Sequence, residues 1–465
     1  LWLPLCPDFL RSSMVLYYRL YRRDFRETLR LSGPIIVAQL GVILMGVTDN
    51  LMIGRLLGAV SLGAAGIANS VAFLVLSIGI GGLSIISAFI SNAKGKQDFA
   101  EIHHLYRAGI RVAWLLGTVL GSICLLLTWR FDLFQQTETI TQLARPFLVI
   151  IAFSNIPLLL FVAIRQLCDG LSRPKVTMFI TLSALLLNAL LNYLLISRYG
   201  LIGAAVGTLL ARIYMAVAIW LYVKRDHFFI PYLTPRVRSE AIPPLMTKIL
   251  RMGLPGGFQF FFEIAAFSLA VIMIGWLGEA QLAAHQIAIN LAATTYMMAT
   301  GIAAAGSIRV EMALGKGQRQ GVMQAGTAAI LLVALFMGFC CFIFLMANDW
   351  LVSLYIRDNP QVAGIAAGLI VIAAFFQLSD GIQVVALGAL RGISDVNVPT
   401  LITLVAYWII ALPMSYVLAF WLAMDVTGVW IGLSVGLAVS AALLTVRFYR
   451  NLHRLKLSES QLIQV

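Results

Sequence analysis

Charge is what this sequence has least of. Of its 465 residues only 11% are charged and 61% are apolar, where a soluble globular protein is about a quarter charged. That deficit excludes an ordinary soluble enzyme. With a mean hydropathy of +0.93 it excludes a disordered chain as well. Histidine is scarce, five in all, and no His-Glu-x-x-His pattern occurs, so a zinc hydrolase has no ligands here. The five cysteines (Cys6, Cys124, Cys168, Cys340, Cys341) lack metal-ligand spacing and lie mostly in apolar runs. Neither a metal centre nor a disulfide framework is implied. A net charge of +13 would suit nucleic acid if the cations formed one patch, but they fall in short clusters between apolar runs. No nucleic-acid partner and no cofactor is expected.

What is present is hydrocarbon. A bilayer core about 30 Å thick needs roughly 20 apolar residues of helix. Twelve such runs lie near 33–54, 66–91, 109–128, 143–164, 177–197, 202–223, 253–277, 283–306, 323–346, 361–390, 399–421 and 427–447. They predict an all-α integral membrane protein with twelve transmembrane helices. Lys and Arg test the count. The N-terminal segment, the even-numbered gaps and the C-terminal tail hold 27 of the 33, the other loops hold five, and Arg212 lies within a span. Such a bias predicts that both termini are cytoplasmic. The first 30 residues do not read as a cleavable signal, because their apolar stretch is short and a basic stretch follows it. Met14 as the native start would make Leu1–Ser13 an upstream extension.

The chain repeats itself. Arg30-Leu31-Ser32-Gly33-Pro34 recurs loosely as Arg251-Met252-Gly253-Leu254-Pro255, and Met52-Ile53-Gly54 as Met273-Ile274-Gly275. Gly203-x-x-x-Gly207 recurs as Gly428-x-x-x-Gly432. The organisation predicted is an N-terminal segment (1–30), a first six-helix lobe (31–223), a polar linker (224–250), a second lobe (251–447) and a tail (448–465). Six is even, so both lobes enter from the same face, and their pseudo-twofold axis runs along the membrane normal. Carriers that rock two bundles about a central site are built this way; duplication without transport is the plainer alternative. The Gly-x-x-x-Gly pairs read as close helix packing.

Three acids fall inside spans: Asp49, Glu263 and Asp380. A carboxylate in hydrocarbon costs several kcal/mol unless paired, hydrated or protonated, and so marks a functional site. Glu263 is 12 residues from Arg251 and Asp380 is 11 from Arg391; at 1.5 Å per residue both lie about 16–18 Å in, near the midplane. Asp49 lies deeper along its span, only six residues before Arg55. Asn188 and Asn192 share a helical face and reach a similar depth. Two polar pockets result, Asp49 with Asn188 and Asn192, and Glu263 with Asp380. Carboxylate and amide oxygens are hard ligands suited to Na⁺, and a carboxylate in hydrocarbon can equally carry a proton. Interhelical hydrogen bonding is the alternative for the two asparagines.

Other polar or aromatic positions are open to two readings. Phe376, one turn before Asp380, can offer its ring to a cation or simply pack. His285 can face an outer vestibule or cap its helix. Gln39, Gln259, Gln286 and Gln383 can line a cavity or pair with one another. Arg212 can be a counter-ion or can snorkel. The phenylalanines around Glu263 can stack on a flat cation or contact lipid.

In order along the chain, several segments resemble the multidrug and toxic compound extrusion family, and its NorM-type branch in particular. They are Val47-Thr48-Asp49-Asn50-Leu51-Met52-Ile53-Gly54-Arg55, Asn188-x-x-x-Asn192-Tyr193, Ala284-His285-Gln286-Ile287-Ala288-Ile289-Asn290, Gly306-Ser307-Ile308-Arg309-Val310 and Asp380-Gly381-Ile382-Gln383-Val384. The resemblance spans about 30–435. It implies two six-helix lobes forming a V and a cation-coupled antiporter that expels bulky, often cationic compounds from the cell across the bacterial inner membrane. It implies that Glu263 and Asp380 form the second-lobe acid pair and that Asp49, Asn188 and Asn192 form the first-lobe cluster. Where some relatives carry an acid in the fifth helix this chain has Asn192, which favours Na⁺ over H⁺ as the coupling ion. A monomer in the lipid bilayer is expected. A lipid-linked oligosaccharide flippase shares the two-lobe plan but calls for a more basic cavity than Arg212 alone supplies. A channel is disfavoured by the duplicated lobes.

Overall fold

A computed structural model describes residues 7–134, 137–234, 239–356 and 359–454. The expectations for Leu1–Cys6 and for the tail beyond Arg454 lie outside them. Among the described residues every regular element is helical, and eleven helices are long and apolar enough to cross a membrane. One of these, Pro174–Arg225, carries Gly200 at φ 58°, ψ −138°. That left-handed backbone is open to glycine at little cost. The run folds back there, bringing Gly203 against the Leu195 carbonyl. It is therefore two spans, and the count among the described residues is twelve. In chain order spans 1–4 are Arg23–Leu57, Val60–Gly95, Phe99–Trp129 and Glu138–Gly170, spans 5 and 6 share Pro174–Arg225, and spans 7–12 are Ile242–Leu277, Glu279–Gly315, Arg319–Met346, Pro360–Gly392, Asn397–Trp421 and Asp425–Leu452.

The helices overrun the apolar stretches that predict them. Span 1 continues a helix from Pro7. Span 7 begins at Ile242 inside the expected linker, with prolines in its first turn, where a missing N–H costs nothing. Span 4 runs on to Gly170 and so carries Arg165 and Asp169 into the helix, where both are buried. Arg212 is thus not the sole arginine within a span.

The outer surface is apolar. Leu126, Leu186, Leu335, Phe339 and Val446 are all more than half exposed, a surface that water would not tolerate over this extent. Trp129, Trp276 and Trp421 stand exposed at the ends of spans 3, 7 and 11. All three mark the face opposite the basic clusters, as aromatic side chains do at a membrane interface. Inside, each half has its own core. Leu105, Leu159, Phe161 and Ile219 are buried in the first lobe, and Phe376, Tyr407, Trp430 and Phe448 in the second.

The lobes meet in the half of the spans nearer the basic face. Span 2 lies on span 7 almost backbone to backbone: a Cβ on Gly253 would strike the Gly82 carbonyl, and one on Gly257 the Ile78 carbonyl. Ser91 Oγ donates to the Ile308 carbonyl at 2.7 Å, joining spans 2 and 8. Arg309 of span 8 pairs with Asp24 and Glu27 of the first helix and donates to Thr28 Oγ1 at 2.7 Å.

Gly253→Val should therefore wedge the lobes apart at the basic face. Overpacking of this kind costs about 1–3 kcal/mol. The thermal unfolding midpoint of the detergent-solubilised protein should fall, whereas Gly33→Ala, where a Cβ meets nothing within 4 Å, should leave it in place.

Candidate functional site

The hairpin of spans 5 and 6 builds the first polar cluster against span 1. Asn192 Nδ2 donates to Asp49 Oδ1 at 2.5 Å and Thr208 Oγ1 donates to Asp49 Oδ2 at 3.0 Å. Asn188 Oδ1 lies 3.5 Å from the same Asn192 amide. All four side chains are buried, Asp49 to 8% exposure and both asparagines to 0%. Asp49 is thus enclosed within its lobe. Four polar side chains from three spans converge there. Asn192 Oδ1 and Asn188 Nδ2 have no hydrogen-bond partner, which leaves the cage with unused polar capacity. Buried polar groups are normally satisfied; an oxygen left free beside a carboxylate suits a hard cation. Gly207 makes the cage possible, since any Cβ there would collide with Asn192 Oδ1. The first Gly-x-x-x-Gly pair is close packing, and it also positions the site. Arg212 lies one turn beyond Thr208, in electrostatic reach of Asp49, and donates to Ser154 Oγ at 2.6 Å. It is held inside the lobe and does not snorkel.

The second cluster has a different construction. Glu263 Oε1 accepts long hydrogen bonds from Tyr296 and Tyr407 hydroxyls, each at 3.4 Å. Gln383 Nε2 donates to the Tyr407 hydroxyl at 2.9 Å. Asp380 is buried within electrostatic range of Glu263, and its Oδ1 has no partner. Tyr407 lies in a π-helical stretch of span 11, Val405–Ala411, a wider turn that recurs at functional positions. Its neighbour Trp408 donates to the Phe262 carbonyl at 3.1 Å, fixing span 11 against span 7 beside Glu263.

The remaining sequence candidates separate from these clusters. His285 is buried at 1% exposure, where its Nδ1 accepts from Trp430 Nε1 at 3.1 Å. It faces neither an outer vestibule nor a helix end, because the indole of span 12 draws it inward. Phe376 makes T-shaped contacts with Trp430 and Phe267, with centroids 5.3 and 6.2 Å away, and is buried in the second core. Gln39 approaches Arg165 Nη1 at 3.5 Å, and Arg165 pairs with Asp169 at 3.2 Å. Gln286 is exposed on span 8, and Gln259 is buried on span 7. Thr208, Tyr296 and Tyr407 were not singled out in the sequence. Spacing marks only Thr208, which directly follows Gly207 of the glycine pair.

A family model described as MatE matches residues 34–194 and again 255–417. The two matches begin at Pro34 and Pro255, the prolines that the internal repeat pairs. The chain belongs to that family, the multidrug and toxic compound extrusion transporters. It is 32% identical over 446 residues to a protein named probable multidrug resistance protein NorM from Rhizobium meliloti (strain 1021), covering 92% of this chain and 94% of that one. It is also 32% identical over 437 residues to the multidrug resistance protein NorM of Burkholderia vietnamiensis, covering 91% and 93%. The fold matches the crystal structure of the eukaryotic MATE transporter AtDTX14 with a TM-score of 0.84 at 19% identity, over 94% of this chain and 98% of that one.

Thr208→Val removes a hydrogen bond to a buried carboxylate, an interaction worth about 1.5–3 kcal/mol. The variant should unfold at lower temperature than wild type in detergent, and Thr208→Ser, which keeps the hydroxyl, should recover most of the loss.

Proposed function

We propose that this MatE-family transporter exports bulky, often cationic organic compounds in exchange for an inward-moving cation, with Na⁺ the favoured ion. The observation that carries the reading is the buried Asp49 carboxylate in its cage of Asn188, Asn192 and Thr208, with Asn192 Oδ1 unpartnered. A Na⁺ ion there would be met by one carboxylate and neutral oxygens, the ligand set hard cations take. The second cluster supports a proton as the alternative coupling ion. Glu263 and Asp380 are two acids close enough to repel when both are ionised, and Asp380 Oδ1 has no donor. Sharing a proton relieves that repulsion.

The lobes alternate between openings on the two faces. The arrangement described has its interlobe contacts toward the basic face, which the Lys/Arg bias assigns to the cytoplasm of a bacterial inner membrane with both termini inside. A substrate and an external cation exclude one another, and their differential affinity for the two states supplies the coupling. At 100 mV, negative inside, each inward unit charge contributes about 2.3 kcal/mol. That sustains a gradient of nearly fiftyfold for a neutral substrate. The relatives' names, which speak of multidrug resistance, agree with a broad substrate range. The working unit is taken as a monomer, each chain holding both lobes.

The test is efflux of a fluorescent organic cation from proteoliposomes, with ΔpNa and ΔpH imposed separately. An Na⁺ gradient alone should drive efflux, and Asp49→Asn should slow it at least about tenfold, because the only formal charge in the cage is gone. Glu263→Gln with Asp380→Asn should abolish any part driven by ΔpH. Efflux that persists at the normal rate with every inorganic gradient collapsed would refute cation coupling, and a normal rate in the double variant would remove Glu263 and Asp380 from it.

A further inference from the structure

Neither polar cluster accounts for the large cavity at the basic face. It has a volume of about 1090 Å³ and lies between the two lobes, walled by the first helix, the turn between spans 4 and 5, and the ends of spans 8 and 9. Seven cationic side chains line it against two acids, Asp24 and Glu27. Both acids are already engaged: Arg309 pairs with each of them, and Arg23 pairs with Glu27 at 3.0 Å. Arg30, Lys175 and Lys316 have no acidic partner within 4 Å among the described residues. Lys94 reaches only neutral acceptors, the Leu171 carbonyl at 2.8 Å and Ser172 Oγ at 3.1 Å. Lys316 of the second lobe and Arg173 of the first both stand within repulsive range of it.

Gathering like charges from two lobes is costly unless an anion offsets them. The cavity is also not uniformly polar. Leu31, Pro34, Val176 and Phe179 line it on the side of spans 1 and 5, and Phe179 is 64% exposed. Cations in the cavity and an apolar ring leading out of it are the two halves of a headgroup-and-chain site. Basic pockets between membrane helices on the cytoplasmic side take phosphate-bearing headgroups in this way.

We infer that this cavity binds a phosphate-bearing anion between the lobes, with Arg30, Lys94, Lys175 and Lys316 as its cationic contacts. The apolar exit along Phe179 favours an acidic phospholipid of the cytoplasmic leaflet as its source, and a free phosphate or phosphomonoester shares the same chemistry. One such anion touches charges from both lobes and so holds the basic face closed. The site is separate from the carboxylate clusters and does not depend on the identity of the coupling ion.

The test uses the full chain in a neutral detergent. Native mass spectrometry and thermal midpoints are measured with phosphatidylglycerol, phosphatidylcholine or inorganic phosphate. Phosphatidylglycerol should bind about tenfold or more tightly than phosphatidylcholine, and Arg30→Gln/Lys175→Gln/Lys316→Gln should remove most of that preference. Stabilisation by phosphatidylglycerol but not by millimolar phosphate identifies the lipid as the source; equal stabilisation by both identifies the free anion. A photo-crosslinkable phosphatidylglycerol on the wild-type protein keeps the proposal testable if the triple variant does not fold. Adducts should map to peptides holding Phe179 or Lys316. Equal binding of both lipids with no response to phosphate, an unchanged preference in the folded triple variant, or adducts confined to other peptides would each overturn the assignment.

Discussion

An acid in hydrocarbon must be compensated or it will not stay folded. In the first lobe the compensation is local and short-range. Asn192 and Thr208 donate to the two oxygens of Asp49 from either arm of one hairpin. That pair of hydrogen bonds ties span 1 to spans 5 and 6, so the carboxylate is at once the site and the peg that aligns three helices. The Gly200 reversal and the bare face of Gly207 both serve it: the first turns the chain back, the second lets the two arms come close enough for Thr208 and Asn192 to share one acid.

The two lobes are copies in backbone but not in chemistry. Met52 pairs with Met273 in the repeat, so Asp49 corresponds to Ala270, which is buried in the second core. Gly207 pairs with Gly432, so Thr208 corresponds to Leu433, also buried. Glu263 and Asp380 answer no polar residue of the first cluster by this register. The glycine pairs kept their packing task in both halves, since Gly428 and Gly432 lie against the backbone of Ala419 and Ser415 as Gly203 lies against that of Leu195. Duplication supplied the scaffold, and each lobe acquired its own buried acids.

How much of this could be read from the sequence follows the same division. The spans, their number and the repeat were legible because hydrocarbon thickness and charge bias act on composition, which a sequence shows directly. Asp49, Asn188, Asn192, Glu263 and Asp380 stood out because a strongly polar side chain is rare in such a run. Thr208, Tyr296 and Tyr407 did not. A threonine in an apolar helix ordinarily bonds its own backbone, as Thr208 also does to the Ala204 carbonyl at 3.2 Å, and a tyrosine is at home in a core or at an interface. Only their partners distinguish them, and partners are a matter of tertiary contact. His285 illustrates the limit from the other side: its helix position was evident, but the Trp430 indole that turns it inward is 145 residues away. The apolar run near 143–164 stops short of Arg165 and Asp169, while the helix continues through their ion pair to Gly170.

The seam between the lobes has a mechanical corollary. Where Gly82 faces Gly253 and Ile78 faces Gly257 the surfaces are peptide planes, without the knobs that lock most helix pairs together. Beyond that contact side chains do cross the seam: Ile36 of span 1 fills the bare face of Gly301, and Ile249 and Val396 of the second half are buried in the first lobe's core. Polar fasteners add to these, Ser91 on the Ile308 carbonyl and Arg309 on Asp24, Glu27 and Thr28. A joint of that design lets peptide planes glide where the glycines meet, while the flanking side chains and polar catches set how far it can open.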